Sequence, residues 1–344
     1  MVNKPHILEL FPNEIKKLGL FEKKYRIVQF LKWIYQDFVI DFSKMSNIPI
    51  SKRNELRSLL ANDLPAIDKI EESSDGTTKF LLNLNDNNKI EMVLIPNGNK
   101  NTLCVSSQVG CIRNCKFCAT ATMGLIRNLE AYEIVAQIFI TSQHLKKQDK
   151  KLTNIVFMGM GEPLDNYNNL IKSVKILEND EFFNFSPRKI TISTSGVIPR
   201  IYDLIDSGLK IKLAVSLNAA MQDKREILMP ITKTYPLAEL KNALVTFKKH
   251  TPYRITFEYV MIKDFNMSYK DVKAIIAYLG DISCKLNIIP WNELSFLSYK
   301  SPSENEVEAF EKKLQNLSFA VTRRRSRGQD ISAACGQLAV KSAR

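Results

Sequence analysis

Four of the six cysteines lie in one stretch, Cys104-Val-Ser-Ser-Gln-Val-Gly-Cys111-Ile-Arg-Asn-Cys115-Lys-Phe-Cys118. Cys111, Cys115 and Cys118 form a CxxxCxxC array, and thiolates this close together are metal ligands or a hazard. A zinc site normally closes on four ligands, often as two CxxC pairs. An ordinary [4Fe–4S] cluster also takes four cysteines. Here Cys118 is followed by Ala119-Thr120, with no fourth cysteine nearby downstream. Three thiolates on a four-iron cube leave one iron open, and an open position is what a catalytic metal needs and a structural one avoids. Its natural occupant is a small chelating molecule with an amine and a carboxylate. The competing reading is a zinc knuckle with Cys104 as its fourth ligand.

The rest of the chain is poorly supplied for polar catalysis. Only three of 344 residues are histidine, His6, His144 and His250. The usual general base is therefore nearly absent, and the chemistry must come from cysteines, carboxylates and a cofactor. An apolar fraction of 45% supports a real core, and 25% charged residues is ordinary for a soluble protein. The length suits one large domain plus a small one. The net charge of +13 points to a polyanionic partner. No apolar run approaches the ~18 residues that span a membrane. The N-terminus lacks the apolar region of a signal peptide, and crowded thiols persist best in a reducing compartment. Cytoplasmic location is the expectation.

These residues need elements to position them. Residues 1–65 read as a small helical domain, in which Ile27, Phe30, Leu31 and Ile34 make one apolar stripe and Pro49 and Pro65 mark breaks. It holds 11 Lys and Arg against 7 Asp and Glu, a net +4. This fits a basic RNA-binding module or a simple helical cap. Residues 66–100 read as a β-hairpin connector, with strands at 77–84 and 89–96 joined by Asn85-Asp86-Asn87-Asn88, residues that tolerate left-handed backbone. Glu91 lies in the second strand between Ile90 and Met92. Taken alone it is the solvent-facing position of a half-buried strand.

From residue 101 to 344 strands and helices alternate. Strands are expected at 103–107, 154–158, 189–193, 211–216, 254–262 and 285–289. Helices are expected at 129–145, 166–179, 198–206, 236–249, 268–280 and 303–317. Ser268 with Asp271, and Ser303 with Glu306, read as capping boxes. Alternation at this period means βαβ units and a parallel sheet. The fold class is α/β, a partial (β/α)6 barrel, with a doubly wound open sheet as the alternative. The distinctive short sequences all follow strands: the cysteine loop, Gly159-Met160-Gly161-Glu162-Pro163, Ser193-Thr194-Ser195-Gly196, Ser216-Leu217-Asn218 and Pro290-Trp291-Asn292. The C-terminal ends of the strands are the working face of such a barrel.

An aromatic residue, Phe117, just before the last cysteine of CxxxCxxC resembles the radical S-adenosylmethionine (SAM) superfamily. Cys104–Cys111, Met158-Gly159-Met160-Gly161-Glu162-Pro163-Leu164 and Asp330-Ile331-Ser332-Ala333-Ala334-Cys335-Gly336-Gln337-Leu338 narrow this to its RNA adenine-C-methyltransferase family (RlmN/Cfr). The resemblance covers about residues 89–338, and the first 65 residues match loosely. It implies a radical SAM barrel in which Cys111, Cys115 and Cys118 hold a [4Fe–4S] cluster whose open iron is chelated by SAM. It implies that Gly161, Glu162, Ser193, Ser216, Leu217, Asn218 and Asn292 line the SAM site. Asn218 departs from the family, which usually has His there. The resemblance further implies that Cys335 is the methyl carrier, that Cys104 resolves the RNA adduct and that Glu91 accepts a proton. Cys284 matches no role and reads as a small buried hydrophobe.

The chemistry explains the need for two further cysteines. An aromatic adenine carbon has no lone pair to attack a sulfonium methyl, whereas a cysteine thiolate can take that methyl by displacement. A 5′-deoxyadenosyl radical can then abstract hydrogen from the S-methyl group, and the carbon radical adds to the ring. A second thiol frees the product by forming a disulfide. Two SAM molecules are used per methylation, and an electron-donating reductant protein resets the disulfide. The expected activity is methylation at carbon 2 of an adenosine in the peptidyl-transferase centre of 23S rRNA, and of an adenosine in the tRNA anticodon loop, by a monomer. Carbon-8 methylation, the Cfr-like resistance activity, is the alternative within the family. A zinc-containing, non-catalytic RNA-binding protein is the alternative outside it. Arg323, Arg324, Arg325 and Arg327 are expected to contact phosphate.

Overall fold

The computed structural model describes residues 4–21, 23–315 and 317–340. The N-terminal segment forms three short helices, α1 (Pro12–Lys17), α2 (Lys24–Tyr35) and α3 (Ile50–Leu59). Pro12 opens α1, where its missing N–H would have no helical partner in any case. Ile27, Phe30, Leu31 and Ile34 of α2 are all buried. They share a core with Phe42, Met45 and Leu56, and with Val135, Phe139 and Ile176 from the barrel's first two helices. Each such side chain contributes ~1.5–3 kcal/mol by leaving water. Apolar packing therefore holds these helices against the barrel, beyond what the connecting strands do.

Three antiparallel strands follow, β1 (Ala66–Glu72), β2 (Thr78–Asn83) and β3 (Lys89–Asn97). The last two are the expected hairpin, with Asn87 in its turn at φ 64°. β1 extends the connector to three strands. It is an edge strand exposed along nearly its whole length, and Asp68, Lys69, Glu71 and Glu72 hide any alternation, as edge strands often do.

The main body then runs β4 (Lys100–Cys104), β5 (Gln108–Gly110), β6 (Leu125–Asn128), α4 (Ala131–Lys146), β7 (Asn154–Phe157), α5 (Tyr167–Glu178), β8 (Ile190–Thr194), α6 (Ile198–Asp206), β9 (Lys212–Ser216), α7 (Gln222–Leu228), α8 (Leu237–Lys249), β10 (Ile255–Met261), α9 (Tyr269–Leu279), β11 (Cys284–Pro290), α10 (Glu304–Lys313) and β12 (Ala320–Arg323). One ten-stranded sheet has the order β1-β2-β3-β4-β7-β8-β9-β10-β11-β12. It is parallel from β4 onward, with the connector strands antiparallel at one edge. The six expected strand–helix units are present, and β12 adds a parallel strand beyond the sixth. β12 is short and half-exposed, so no apolar run announces it.

Both expected capping boxes form. Ser268 N–H donates to Asp271 Oδ2 at 2.9 Å, and Ser303 N–H donates to Glu306 Oε2 at 2.7 Å. One face of the parallel strands packs into the core, with Leu103, Phe157, Ile192, Val215, Phe257 and Leu286 buried, while alternate residues of β7 and β8 stay half-buried. β4 begins and ends three residues earlier than expected. Cys104 is therefore the last residue of its strand, on the rim with the other strand ends.

Candidate active site

The loop carrying Cys111, Cys115 and Cys118 is closed at its neck by β5 and β6, which pair antiparallel. Cys111 N–H donates to the Gly124 carbonyl at 2.8 Å. Gly110 sits at φ 77°, and a Cβ there would come within 1.8 Å of the Gly124 oxygen, so only glycine fits. Lys116 N–H donates to the Leu228 carbonyl at the end of α7, at 2.8 Å. Trp291 Nε1 donates to the Phe117 carbonyl at 3.0 Å. β5 and β6 are too short to show a period in the sequence.

All three cysteines line one cavity at the C-terminal ends of the parallel strands, with about 1030 Å³ of empty space, part of it open to solvent. Gly161, Glu162, Ser193, Ser216, Asn218, Asn292 and Cys335 line it too. Leu217 does not: its side chain is fully buried in the core, and its backbone carbonyl is what faces a partner, Arg225. Glu162 is 4% exposed. Its Oε2 accepts from Ser195 N–H and Ser195 Oγ–H, both at 2.7 Å, and its Oε1 accepts from Leu164 N–H at 3.1 Å. Burial pushes the Glu162 carboxyl up. Gly161 lies at φ 99°, and a Cβ there would strike Gln108 at 2.6 Å. That contact lets Gln108 Oε1 accept from Glu162 N–H at 2.8 Å.

Asn218 occupies the left-handed region at φ 57°, where Asn is several-fold enriched over most residues. Its Oδ1 accepts from Val260 N–H at 2.9 Å and its carbonyl accepts from Asn266 Nδ2 at 2.7 Å. Asn292 Nδ2 donates to the Cys335 carbonyl at 3.0 Å. Cys284 is buried at the base of β11, away from the cavity.

A second chamber of about 790 Å³ adjoins the first. Cys104 lines only this one. Cys335, Cys118, Met158, Arg324 and Gly336 line both. Cys335 is exposed, whereas Cys104 is buried and burial pushes its thiol up to about 12. The segment bearing Cys335 crosses the site. Gly336 C=O accepts from Ala119 N–H at 2.7 Å, and Leu338 C=O accepts from Thr120 Oγ–H at 2.6 Å. Ala339 N–H donates to Glu91 Oε2 at 3.0 Å.

Glu91 is thus not solvent-facing. It is 6% exposed, pairs with Lys79 Nζ at 3.2 Å, and burial pushes its carboxyl up. The solvent-facing reading fails because the cover comes from the C-terminal segment, far away in sequence. The arginine cluster also divides. Arg323 pairs with Glu304. Arg324 lies inside the site, 3.4 Å from Glu258 Oε2. Burial works against the Arg324 charge, but Cys335, Glu258 and Cys104 outweigh it and raise its pKa. Arg327 donates to the Asp75 carbonyl at 3.4 Å, and Arg325 is exposed. Of the four arginines expected to face phosphate, Arg325 is the exposed one and Arg324 faces into the site. Sequence reasoning finds the Ser195 loop but misses Glu258 as a residue of the site, takes Arg324 for a phosphate contact, and gives no sign of Arg225 behind the strand ends. Glu258 hides in an otherwise apolar strand, and Arg225 sits in a helix too short to read.

The donor set fits a cluster. Burial pushes all three cysteine thiols up, Cys111 to about 12. A bound metal reverses that by supplying positive charge and deprotonating its thiol ligands. Among the described residues no three His, Cys, Asp or Glu side chains converge on one ion. A cube spreads its ligands over separate corners and needs no such convergence. Cys104, the fourth ligand of the zinc reading, lies outside the cavity with Cys111 and Cys115.

Comparison with known proteins agrees at two levels. A model of the radical SAM superfamily matches residues 105–278, and one of the ribosomal RNA large subunit methyltransferase N-terminal domain matches residues 13–61. A crystal structure of a radical SAM methyltransferase from Sphaerobacter thermophilus superposes with TM-score 0.93 at 38% identity, covering 97% of this chain and 99% of that one. The class is therefore a radical SAM methyltransferase. Over 336 residues the chain is 41% identical to the "Probable dual-specificity RNA methyltransferase RlmN" of Dictyoglomus turgidum, covering 97% of this chain and 96% of the relative. It is 42% identical over 321 residues to the "Dual-specificity RNA methyltransferase RlmN" of Geotalea uraniireducens, covering 93% and 92%. The chain belongs to the RlmN family. Family membership implies a [4Fe–4S] cluster and SAM. No helix among the described residues is long and apolar enough to cross a membrane.

Proposed function

We propose that this enzyme methylates carbon 2 of an adenosine in the peptidyl-transferase centre of 23S rRNA, and of an adenosine in the tRNA anticodon loop. The observation that carries the reading is the position of Cys335. It lines both the chamber of the cysteine array and the chamber of Cys104, as a carrier serving two sites must. When bound, the cluster and SAM supply methyl groups and a hydrogen-abstracting 5′-deoxyadenosyl radical, two SAM molecules per methylation.

The chain's own residues do the rest. Glu162, held by three donors and aimed at the cavity, accepts from the methionyl amine. Ser193, Ser216, Asn218, Asn292 and the backbone at Gly161 and Leu217 receive the carboxylate and ribose. Cys335 Sγ takes up a methyl group, loses a hydrogen atom from it, and bonds through that carbon to the adenine ring. The adduct radical passes one electron to the oxidised form of the reductant protein, and Glu91 takes the ring proton. Cys104 Sγ, as a thiolate, then attacks Cys335 Sγ; a disulfide forms, the bond from sulfur to the methylene carbon breaks with its electron pair on the carbon, and that carbon takes up a proton to complete the methyl group. An electron-donating reductant protein returns the disulfide to thiols.

The helices of residues 1–65 form a basic RNA-contacting module, 66–100 the connector and 101–344 the catalytic barrel. The protein acts as a cytoplasmic monomer. Mass mapping of 23S rRNA and tRNA after incubation with anaerobically reconstituted enzyme tests the reading. 2-Methyladenosine in both is expected. 8-Methyladenosine, or unmodified RNA from fully loaded enzyme, would overturn it.

A further inference from the structure

Arg225, in the short helix α7, is 1% exposed. A guanidinium so deeply buried is normally met by a carboxylate, because taking a lone charge out of water is costly. Arg225 has no such partner among the described residues. Its neighbours are carbonyls and a hydroxyl: Nε donates to Leu217 O at 3.0 Å, Nη2 to Ser195 O at 2.7 Å and to Ser216 O at 2.9 Å, and Nη1 to Thr232 Oγ1 at 2.7 Å. Three of these acceptors lie just past β8 or at the end of β9, the strand ends that carry the proposed SAM-binding residues.

Two features connect this cation to the cofactor site. Ser195 is gripped from both sides, giving its N–H and Oγ–H to Glu162 and its carbonyl to Arg225. α7 itself is tied to the cysteine loop by the Lys116 N–H bond to Leu228. The residue that makes this bond is the neighbour of Cys115, so the short helix carrying the Arg225 charge is fastened directly to the cysteine loop. A neutral donor such as Gln could reach some of the same carbonyls. Only a cation adds a field at the cluster, and a fixed charge in a low-dielectric surrounding acts strongly.

We propose that Arg225 is a positioning residue that also acts through its charge. It fixes the strand-end carbonyls beneath SAM, and its uncompensated charge stabilises the electron-rich, reduced cluster held by Cys115. This rests on the cysteine array holding the cluster.

The test compares wild type, Arg225→Lys and Arg225→Gln after anaerobic reconstitution. The readouts are the midpoint of cluster reduction by spectroelectrochemistry and the affinity for S-adenosylhomocysteine by calorimetry. Arg225→Gln should lower the reduced-to-oxidised ratio at fixed potential about tenfold, a drop of ~59 mV for a one-electron couple. Arg225→Lys keeps the charge and loses the fork, so it should keep the midpoint. Both variants should bind S-adenosylhomocysteine about tenfold more weakly. A wild-type midpoint in Arg225→Gln, a tenfold shift in Arg225→Lys, or unchanged affinity in Arg225→Lys would overturn the assignment. Iron content separates the two layers. Wild type without iron would sink the cluster reading and this assignment with it. Loaded variants that behave as wild type would sink the Arg225 assignment alone.

Discussion

In the cofactor chamber Glu162 accepts three hydrogen bonds, Arg225 donates four, and Asn218 is held by both its side chain and its carbonyl. The segment that crosses the chamber's mouth, residues 324–340, is secured differently. It has one short 3-10 turn and is pinned at separate points. Asp330 accepts from Ser73 Oγ–H at 2.6 Å and from Ser74 N–H at 3.1 Å, and Asp75 accepts from Gly328 N–H at 3.0 Å. Gly328, Ser332 and Gly336 all lie at positive φ. The rigid chamber suits a ligand that must be held in one pose. The pinned segment suits a thiol that must meet first a cofactor and then an RNA base, since lids and carriers swing on a few loop residues.

The largest effect should come from the chamber's floor. Replacing Cys111, Cys115 or Cys118 with Ala should abolish iron binding, brown colour and methylation, read by iron assay and absorbance. Cys104→Ala and Cys335→Ala should keep their iron. Loss of iron in Cys104→Ala would restore the four-ligand reading and break the division between chamber and carrier.

Next come the carrier thiol and the resolving thiol. Cys335→Ala should form neither methylated adenosine nor an adduct. Cys104→Ala should attack RNA and stall as a covalent complex, seen as a shifted band on a denaturing gel. A shifted band from Cys335→Ala would reverse the two roles.

Glu91→Gln should slow product release by ~10²–10⁴-fold, the range for losing a general base. Because burial raises the Glu91 carboxyl, release by the wild type should speed up as pH rises through that elevated value, and Glu91→Gln should lose this limb. The stability effect has the opposite sense. A carboxyl raised in the folded state contributes stability below the ordinary carboxylate range, and that stability is lost as pH rises through the folded pKa. Single-turnover release followed against pH is the measurement. A variant with wild-type rates would return Glu91 to a structural pairing with Lys79.

What could be read ahead of the structure follows the same contrast. The chamber announces itself because its parts sit at strand ends, where alternation shows and where Gly161, Glu162 and Ser216 stand beside apolar runs. The carrier segment is half legible. The small residues around Cys335 stand out, but what they pack on does not. Glu91 meets Ala339 across 248 residues, and Asp330 meets Ser73 across 257. No local pattern encodes such pairings. Edge strands β1 and β12 escape for another reason: with little of either strand buried, nothing selects an apolar alternation. Arg324 misleads because an arginine run looks like a phosphate surface until Glu258 is found beside it.

The pins themselves should have a smaller effect. Asp330→Ala removes two hydrogen bonds and leaves Ser73 and Ser74 to solvent. The segment should then open several-fold more often, without a comparable fall in thermal midpoint. Tryptic cleavage at Arg327 of the folded protein reads this opening, provided it is measured where reclosing outruns cleavage. Asp75 gives a pH version. Burial works against its charge, but hydrogen bonds from Thr77 and Gly328 win and hold its carboxyl down at about 2. Its contribution is therefore complete above the ordinary carboxylate range and lost as pH falls through about 2. Cleavage rates equal to wild type in Asp330→Ala would mean the segment is held elsewhere.

The smallest effect sharpens the division of the arginines. Arg325 is exposed at the mouth of the second chamber, while Arg323 and Arg324 are paired with Glu304 and Glu258. Each phosphate contact that is lost reduces the slope of log affinity against log salt by about one. Arg325→Gln should therefore flatten that slope by roughly this amount in a filter-binding titration with RNA. Arg323→Gln should leave the slope near wild type, because its charge is already balanced by Glu304. Arg324→Gln should damage methylation far more than it changes the slope, because its field falls on Cys104 and Cys335. Should Arg323→Gln or Arg324→Gln flatten the slope as much as Arg325→Gln, all three reach phosphate in the complex, and the inward-facing positions belong to the RNA-free enzyme alone.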